Sequence, residues 1–359
     1  MFTMFVRGPQ SRQGRSRKQE GLEPQAARRA RRQGIRGSAG LCLGAALLLA
    51  CSEGTQPMQS PRPVLDMGFS GPYLPGERAP QALTEVAAVP VGERIYLLGG
   101  LVAGGGTHRV EIYDPVRSTW SRGPDLPAEA PTHHLAVAVF QQQIYVLGGY
   151  TDLSFAPSAI TLRLDPTRAT WSRLRDQPLA RGAATAQALG SRIYVVGGAG
   201  LGQVLSALWS YDPAADTWQV QAAMPLAREH LASCADGVRM LVVGGRASVN
   251  LRTAQIYEAD RDRWTMAPDL PTARGGLAAA TLDRRCYVVG GEALDRGPPN
   301  TFGENEAYDW DRALWTVQAR LPTPRHGLAA VALSPSLYTL LGGPQAGFTF
   351  SDVVEIFTP

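Results

Sequence analysis

The sequence predicts an all-β protein built from six copies of one four-stranded antiparallel unit. Two ladders of residues with the same period carry that expectation, and the composition agrees with it. The chain has 359 residues, 44% hydrophobic and 18% charged, which excludes a disordered polymer. Its 27 prolines argue against long helices, since each interior proline costs a helix ~3 kcal/mol.

The first ladder is a glycine pair. It occurs at Gly99-Gly100, Gly148-Gly149, Gly197-Gly198, Gly244-Gly245, Gly290-Gly291 and Gly342-Gly343, each time ending an apolar run such as IYLLGG, IYVVGG or YTLLGG. A fixed period of 40 to 50 residues marks a repeat architecture. In the second ladder, Asp114, Asp165, Asp212, Glu258 and Asp309 each stand six residues before Trp120, Trp171, Trp218, Trp264 and Trp315. Each tryptophan stands seven residues before a proline: Pro127, Pro178, Pro225, Pro271 or Pro322. The acidic residue closes a turn, often as Asp-Pro, and the tryptophan lies on the strand that follows. In the second unit the expected strands are a, 134–140; b, 144–147; c, 158–164; and d, 170–173.

Glycine pair, Tyr-Asp and tryptophan at this period resemble the kelch repeat from about residue 65 to residue 359. The resemblance implies a six-bladed β-propeller with each repeat one blade around a central channel. The ends of the chain predict how it closes. VVEIFTP (353–359) matches RVEIYDP (109–115), so the last unit stops after strand c, and GPYLP (71–75) matches GPDLP (123–127), the tail of a strand d. The N-terminal segment should therefore complete the last blade and remove an open sheet edge. The match departs from the pattern at Gly68, where a tryptophan is expected.

The N-terminal charge belongs to a leader. Residues 1–50 hold ten Lys or Arg against two acids, whereas the remainder holds 25 against 29, so no nucleic-acid surface is expected. The arginines at 28, 29, 31, 32 and 36 precede an apolar run ending at Ala50, followed by Cys51. This order reads as an export signal over 1–50, and Leu48-Leu49-Ala50-Cys51 resembles a bacterial lipobox. Lipidation of Cys51, a tether over 51–63 and a propeller over 64–359 follow as expectations. So does a place in the cell envelope, lipid-anchored at the outer membrane because Asp does not follow the cysteine. The apolar run is half of what a bilayer span needs.

Strand parity puts the b–c and d–a loops at one mouth of the propeller and the a–b and c–d turns at the other. The first mouth carries the long loops LVAGGGT, YTDLSFAP and EALDRGPPNTFGE, which makes it the expected binding face. It also carries Arg78, Arg181, Arg228, Arg274 and Arg325, each three residues after its blade's proline. These five have two readings: a ring that clamps an acidic ligand, or structural donors to loop carbonyls between neighbouring blades. His134, His230 and His326 are further candidates there, with His133 beside them. Their offsets after the proline differ, so no metal site is expected. Loop aromatics such as Phe155 and Phe348 suit stacking on a peptide or sugar. Cys234 and Cys286 leave two readings, a disulfide in an oxidising compartment or two buried thiols, and the second is preferred because nothing in the sequence aligns them. No nucleophile elbow, phosphate loop or paired zinc motif is present, and no cofactor is expected. The functional expectation is a monomeric, non-catalytic propeller that binds a protein, peptide or glycan. The alternative, implied by resemblance alone, is an exported carbohydrate-active enzyme of the sialic-acid mutarotase-like kelch type.

Overall fold

The computed structural model describes residues 65–66, 71–295, 297 and 300–359. The export signal, Cys51, the tether and the departure at Gly68 lie outside the described residues. What is described is all β, in six sheets arranged as blades, with two short hairpins in addition. The innermost strands a are Ala87–Val91, Val137–Phe140, Thr185–Leu189, Ala232–Ala235, Ala278–Leu282 and Ala329–Leu333. They surround a channel of about 400 Å³, to which each contributes a small side chain: Ala88, Ala138, Ala186, Ala232, Ala280 and Ala330. Larger residues at these places would fill the axis where the blades come nearest.

Blade 2 runs outward through Val137–Phe140, Gln143–Tyr150, Pro157–Asp165 and Thr170–Arg173. Strand d begins and ends where the sequence puts it, but strand a starts three residues late. His134 therefore stands in the turn before the strand, with a left-handed backbone (φ 51°). Strands b read as unbroken apolar runs because both of their faces are covered. Ile95, Leu97 and Leu98 in blade 1 are buried, as are Ile193, Val195 and Val196 in blade 3. Six apolar clusters form, one between each pair of neighbouring blades.

The tryptophan ladder has a polar purpose as well. Trp171 Nε1 donates to Pro124 O (3.1 Å), Trp218 to Arg175 O (2.9 Å), Trp264 to Ala222 O (2.8 Å) and Trp315 to Pro268 O (2.8 Å). Each bond crosses to the preceding blade, so a residue that must both pack and donate recurs without variation.

Closure follows the sequence. Tyr73–Pro75 pairs antiparallel with Val354–Phe357 as the outer strand of blade 6, and the Tyr73 ring packs on Phe357 at 5.1 Å. Leu65–Asp66 adds parallel to Leu314–Val317, giving blade 5 a fifth strand that the repeat pattern does not announce.

Of the two readings of the cysteines the structure has the disulfide, not the preferred pair of buried thiols. Cys234, on strand a of blade 4, and Cys286, on strand b of blade 5 (Arg285–Val289), form a disulfide with Cα atoms 5.7 Å apart. Sequence spacing hides this pairing. The two residues are 52 apart and become neighbours only because adjacent blades press strand a against strand b.

Candidate functional site

Chemistry-bearing residues gather where the chain turns into strand a at the loop-bearing mouth. Each blade places one left-handed residue there: Glu85, His134, Ala183, His230, Gly276 and Gly327, with φ between 50° and 62°. Their backbones link into a ring. His134 N donates to Glu85 O, Ala183 N to His134 O, His230 N to Ala183 O, Gly276 N to His230 O and Gly327 N to Gly276 O, at 2.9 to 3.2 Å. Val86 N closes the circle on Gly327 O at 3.2 Å. L-residues in this region cost roughly 1–2 kcal/mol each. The ring bonds offset that cost at Glu85, His134, Ala183 and His230, and such strain is characteristic of functional positions.

The ring corrects the register assigned from the prolines. His134 and His230 differ in offset from the proline, yet they occupy the same place in the ring because the intervening loops differ in length. The signal that finds them is the distance to the glycine pair: all of Glu85, His134, Ala183, His230 and Gly276 precede its first member by 14 residues. Counting 14 onward from Gly327 gives Leu341, so Leu341-Gly342, and not Gly342-Gly343, is the structural pair of blade 6. Leu341 holds the left-handed φ of 57° there. His326 stands one residue before the ring.

These side chains converge. His134 Nε2 lies 3.0 Å from His230 Nε2 and 3.2 Å from Glu85 Oε2. His326 Nδ1 lies 3.3 Å from Glu85 Oε1 and 3.4 Å from Glu292 Oε2. Arg246 bridges Glu229 Oε1 (2.6 Å) and Glu292 Oε1 (2.7 Å), and Glu229 in turn accepts from His230 Nδ1. Burial holds the His134 imidazole down to about 3, against the pull of Glu85. Burial also opposes ionisation of Glu85, but the histidines around it, led by His134 in its protonated form, favour the carboxylate and set its pKa well below the usual range. Burial works against the His326 cation too, yet Glu85 and Glu292 raise its pKa. Above this floor a basin of about 160 Å³ is walled by Phe155, Leu294 and Phe348.

The arginine series goes elsewhere. Arg181, Arg228, Arg274 and Arg325 are fully buried and reach carbonyls of their own blades, neither the mouth nor the gap between blades. Arg181 donates to Ala207 O (2.9 Å), and Arg228 to Thr253 O (2.8 Å) and Val242 O (3.1 Å). Arg274 reaches Val288 O (3.0 Å) and pairs with buried Glu306, while Arg325 reaches Val353 O (2.7 Å) and Glu355 (2.8 Å). Each guanidinium thus ties strand b to strand c. Arg78 is not their equivalent: it is exposed and forked onto Asp352, and Leu83 takes the structural position in blade 1.

The four buried arginines form two pairs with different expected costs. Burial pulls Arg228 down to about 9, and among the described residues no carboxylate accepts from it. Arg228→Met should cost about 1–3 kcal/mol in urea unfolding through orphaned carbonyls. Arg274→Met also strands the buried Glu306 carboxylate and should cost about 3–5 kcal/mol. An equal or smaller loss at Arg274 contradicts this assignment.

The chain spans about half the length of the kelch-like protein terF of Aspergillus terreus (strain NIH 2624 / FGSC A1156). The two are 28% identical over 303 residues, which is 81% of this chain and 56% of that protein. Kelch-like protein 25 of Xenopus tropicalis is 30% identical over 117 residues, 32% of this chain and 19% of that protein. The solved structure of YjhT has a TM-score of 0.68 at 14% identity, covering 79% of this chain and 97% of that one, a likeness of fold alone. Residues 85–291 match the KLHDC2/KLHL20/DRC7 kelch-repeats domain, and the chain belongs to the kelch-repeat family.

Proposed function

We propose that this kelch propeller is a non-catalytic binding module that seats a protein or peptide on its loop-bearing mouth. One observation carries the reading. The b–c loops of five successive blades each lift a large apolar side chain into solvent: Leu153 and Phe155, Leu201, Val249, Leu294 and Phe348, at 38–81% exposure. Exposed apolar groups scattered singly need no explanation, but their repetition round one rim suits a partner surface. The contact chemistry differs from an arginine clamp on an acidic ligand, since four of the five arginines are sealed inside the blades and Arg78 is paired with Asp352. For the sugar-enzyme alternative the four buried arginines are likewise out of reach, and the guanidinium beside the basin is that of Arg246, already paired with Glu229 and Glu292.

The Cys234–Cys286 disulfide supports an exported protein, because such bonds persist in oxidising compartments. The lipobox-like Leu48 to Cys51 supports anchoring through Cys51 in the cell envelope, and more than one long acyl chain is what stable anchoring requires.

Two measurements check these proposals. A photo-crosslinking amino acid at Leu201 or Phe348 should give protein adducts in cells, whereas at Val116 or Val238, exposed on the opposite mouth, it should not. Adducts of equal yield from both mouths contradict the binding face. Cys51→Ala should move the protein from the membrane to the soluble fraction on fractionation, and an unchanged distribution contradicts the anchor.

A further inference from the structure

We propose that Glu85, His134 and His230 form a binding site for one first-row divalent transition-metal ion, with coordination positions left open toward the basin. The Asp152 carbonyl only accepts, so His133 Nε2, 3.1 Å away, carries the hydrogen and leaves His133 Nδ1 as an acceptor. His134 Nδ1, 2.6 Å from it, must then donate, which leaves a lone pair on His134 Nε2. On the other side, His230 Nδ1 donates to Glu229, which leaves a lone pair on His230 Nε2. In their neutral forms the two imidazoles therefore each present a lone pair across 3.0 Å, beside the Glu85 carboxylate.

Three such electron-pair donors brought together in one small volume suit a cation. All three ligand atoms lie within 4.8 Å of one another. Metal–ligand bonds of about 2.05 Å would span the 3.0 and 3.2 Å separations at angles of roughly 95° and 100°, between octahedral and tetrahedral values. Two imidazoles with one carboxylate suit borderline ions such as zinc, cobalt or iron(II), and not calcium or magnesium.

Outer partners orient the set in the way metal sites require. Glu229 fixes the His230 ring and is itself held by Arg246. His133 fixes the His134 ring, and His326 lies against the second oxygen of Glu85. Because Phe155, Leu294 and Phe348 wall the space above, a ligand entering the basin could reach the open coordination positions. The site shares the mouth proposed for partner binding, but its test needs no partner, so either proposal can fail alone.

The test uses the full chain, free of any affinity tag and stripped with a chelator. Cobalt(II) should bind at one equivalent with visible ligand-field bands, which zinc(II) then displaces. His134→Ala and His230→Ala should each remove the bands. Alanine at ring position 183, with φ of 53°, shows that the backbone accepts this change, and melting in chelator verifies the fold. Glu229→Gln should weaken cobalt binding ~10- to 100-fold without abolishing it. The proposal is overturned if the parent shows no cobalt bands, or if binding survives both histidine substitutions.

Discussion

The propeller depends on one contact made six times: the amide of the second glycine in each pair donates to a carbonyl at the start of the next blade. Gly100 bonds Thr132 O, Gly149 bonds Arg181 O, Gly198 bonds Arg228 O, Gly245 bonds Arg274 O, Gly291 bonds Arg325 O and Gly342 closes on Leu83 O, all at 2.7 to 3.0 Å. A side chain at this place would collide with its own blade. A Cβ on Gly198 would meet Gly182 O at 2.6 Å, and one on Gly342 would meet His326 O at 2.6 Å. Glycine here serves a backbone approach that no other residue permits.

That approach builds the candidate site. It presses each blade's turn against the next, so the residue 14 positions before the pair enters the ring of bonds with a left-handed backbone. Where the residue is glycine or alanine, as at Gly276 or Ala183, the ring is only structural. Glu85, His134 and His230 bring ionisable side chains to the same small volume, and Glu229, Glu292 and Arg246 neutralise and orient them. Packing at the glycine pair and chemistry at the mouth are consecutive consequences of one geometry.

The fold was legible because it rests on local, repeated signals. The blade count, the four-stranded unit and closure by Tyr73–Pro75 all follow from periods and from matching the two ends of the chain. The site was only half legible. His134, His230 and His326 could be picked out as candidates, but alignment on the prolines hid their register because loop length varies before strand a. Glu85 is marked only by the 14-residue count back from Gly99, a signal that needs the ring to give it meaning. Of the two readings of the arginines, the buried four follow the structural one, but within a blade and not between neighbours. Their period is real, but a period reports a structural duty, here tying strand b to strand c within a blade. Cys234–Cys286 depends on contact between blades, which no single repeat encodes.

The most direct measurement compares two glycines of blade 3 with similar left-handed backbones and different surroundings. Gly198 (φ 86°) stands in the inter-blade contact, whereas Gly202 (φ 75°) has open space where a Cβ would go. Gly202→Ala should cost only the conformational strain of about 1–2 kcal/mol in urea unfolding. Gly198→Ala should cost that strain plus the collision with Gly182 O and loss of the Arg228 bond, and lower the melting temperature much further. Equal losses for the two variants would contradict the claim that close backbone approach at the glycine pair holds the propeller together.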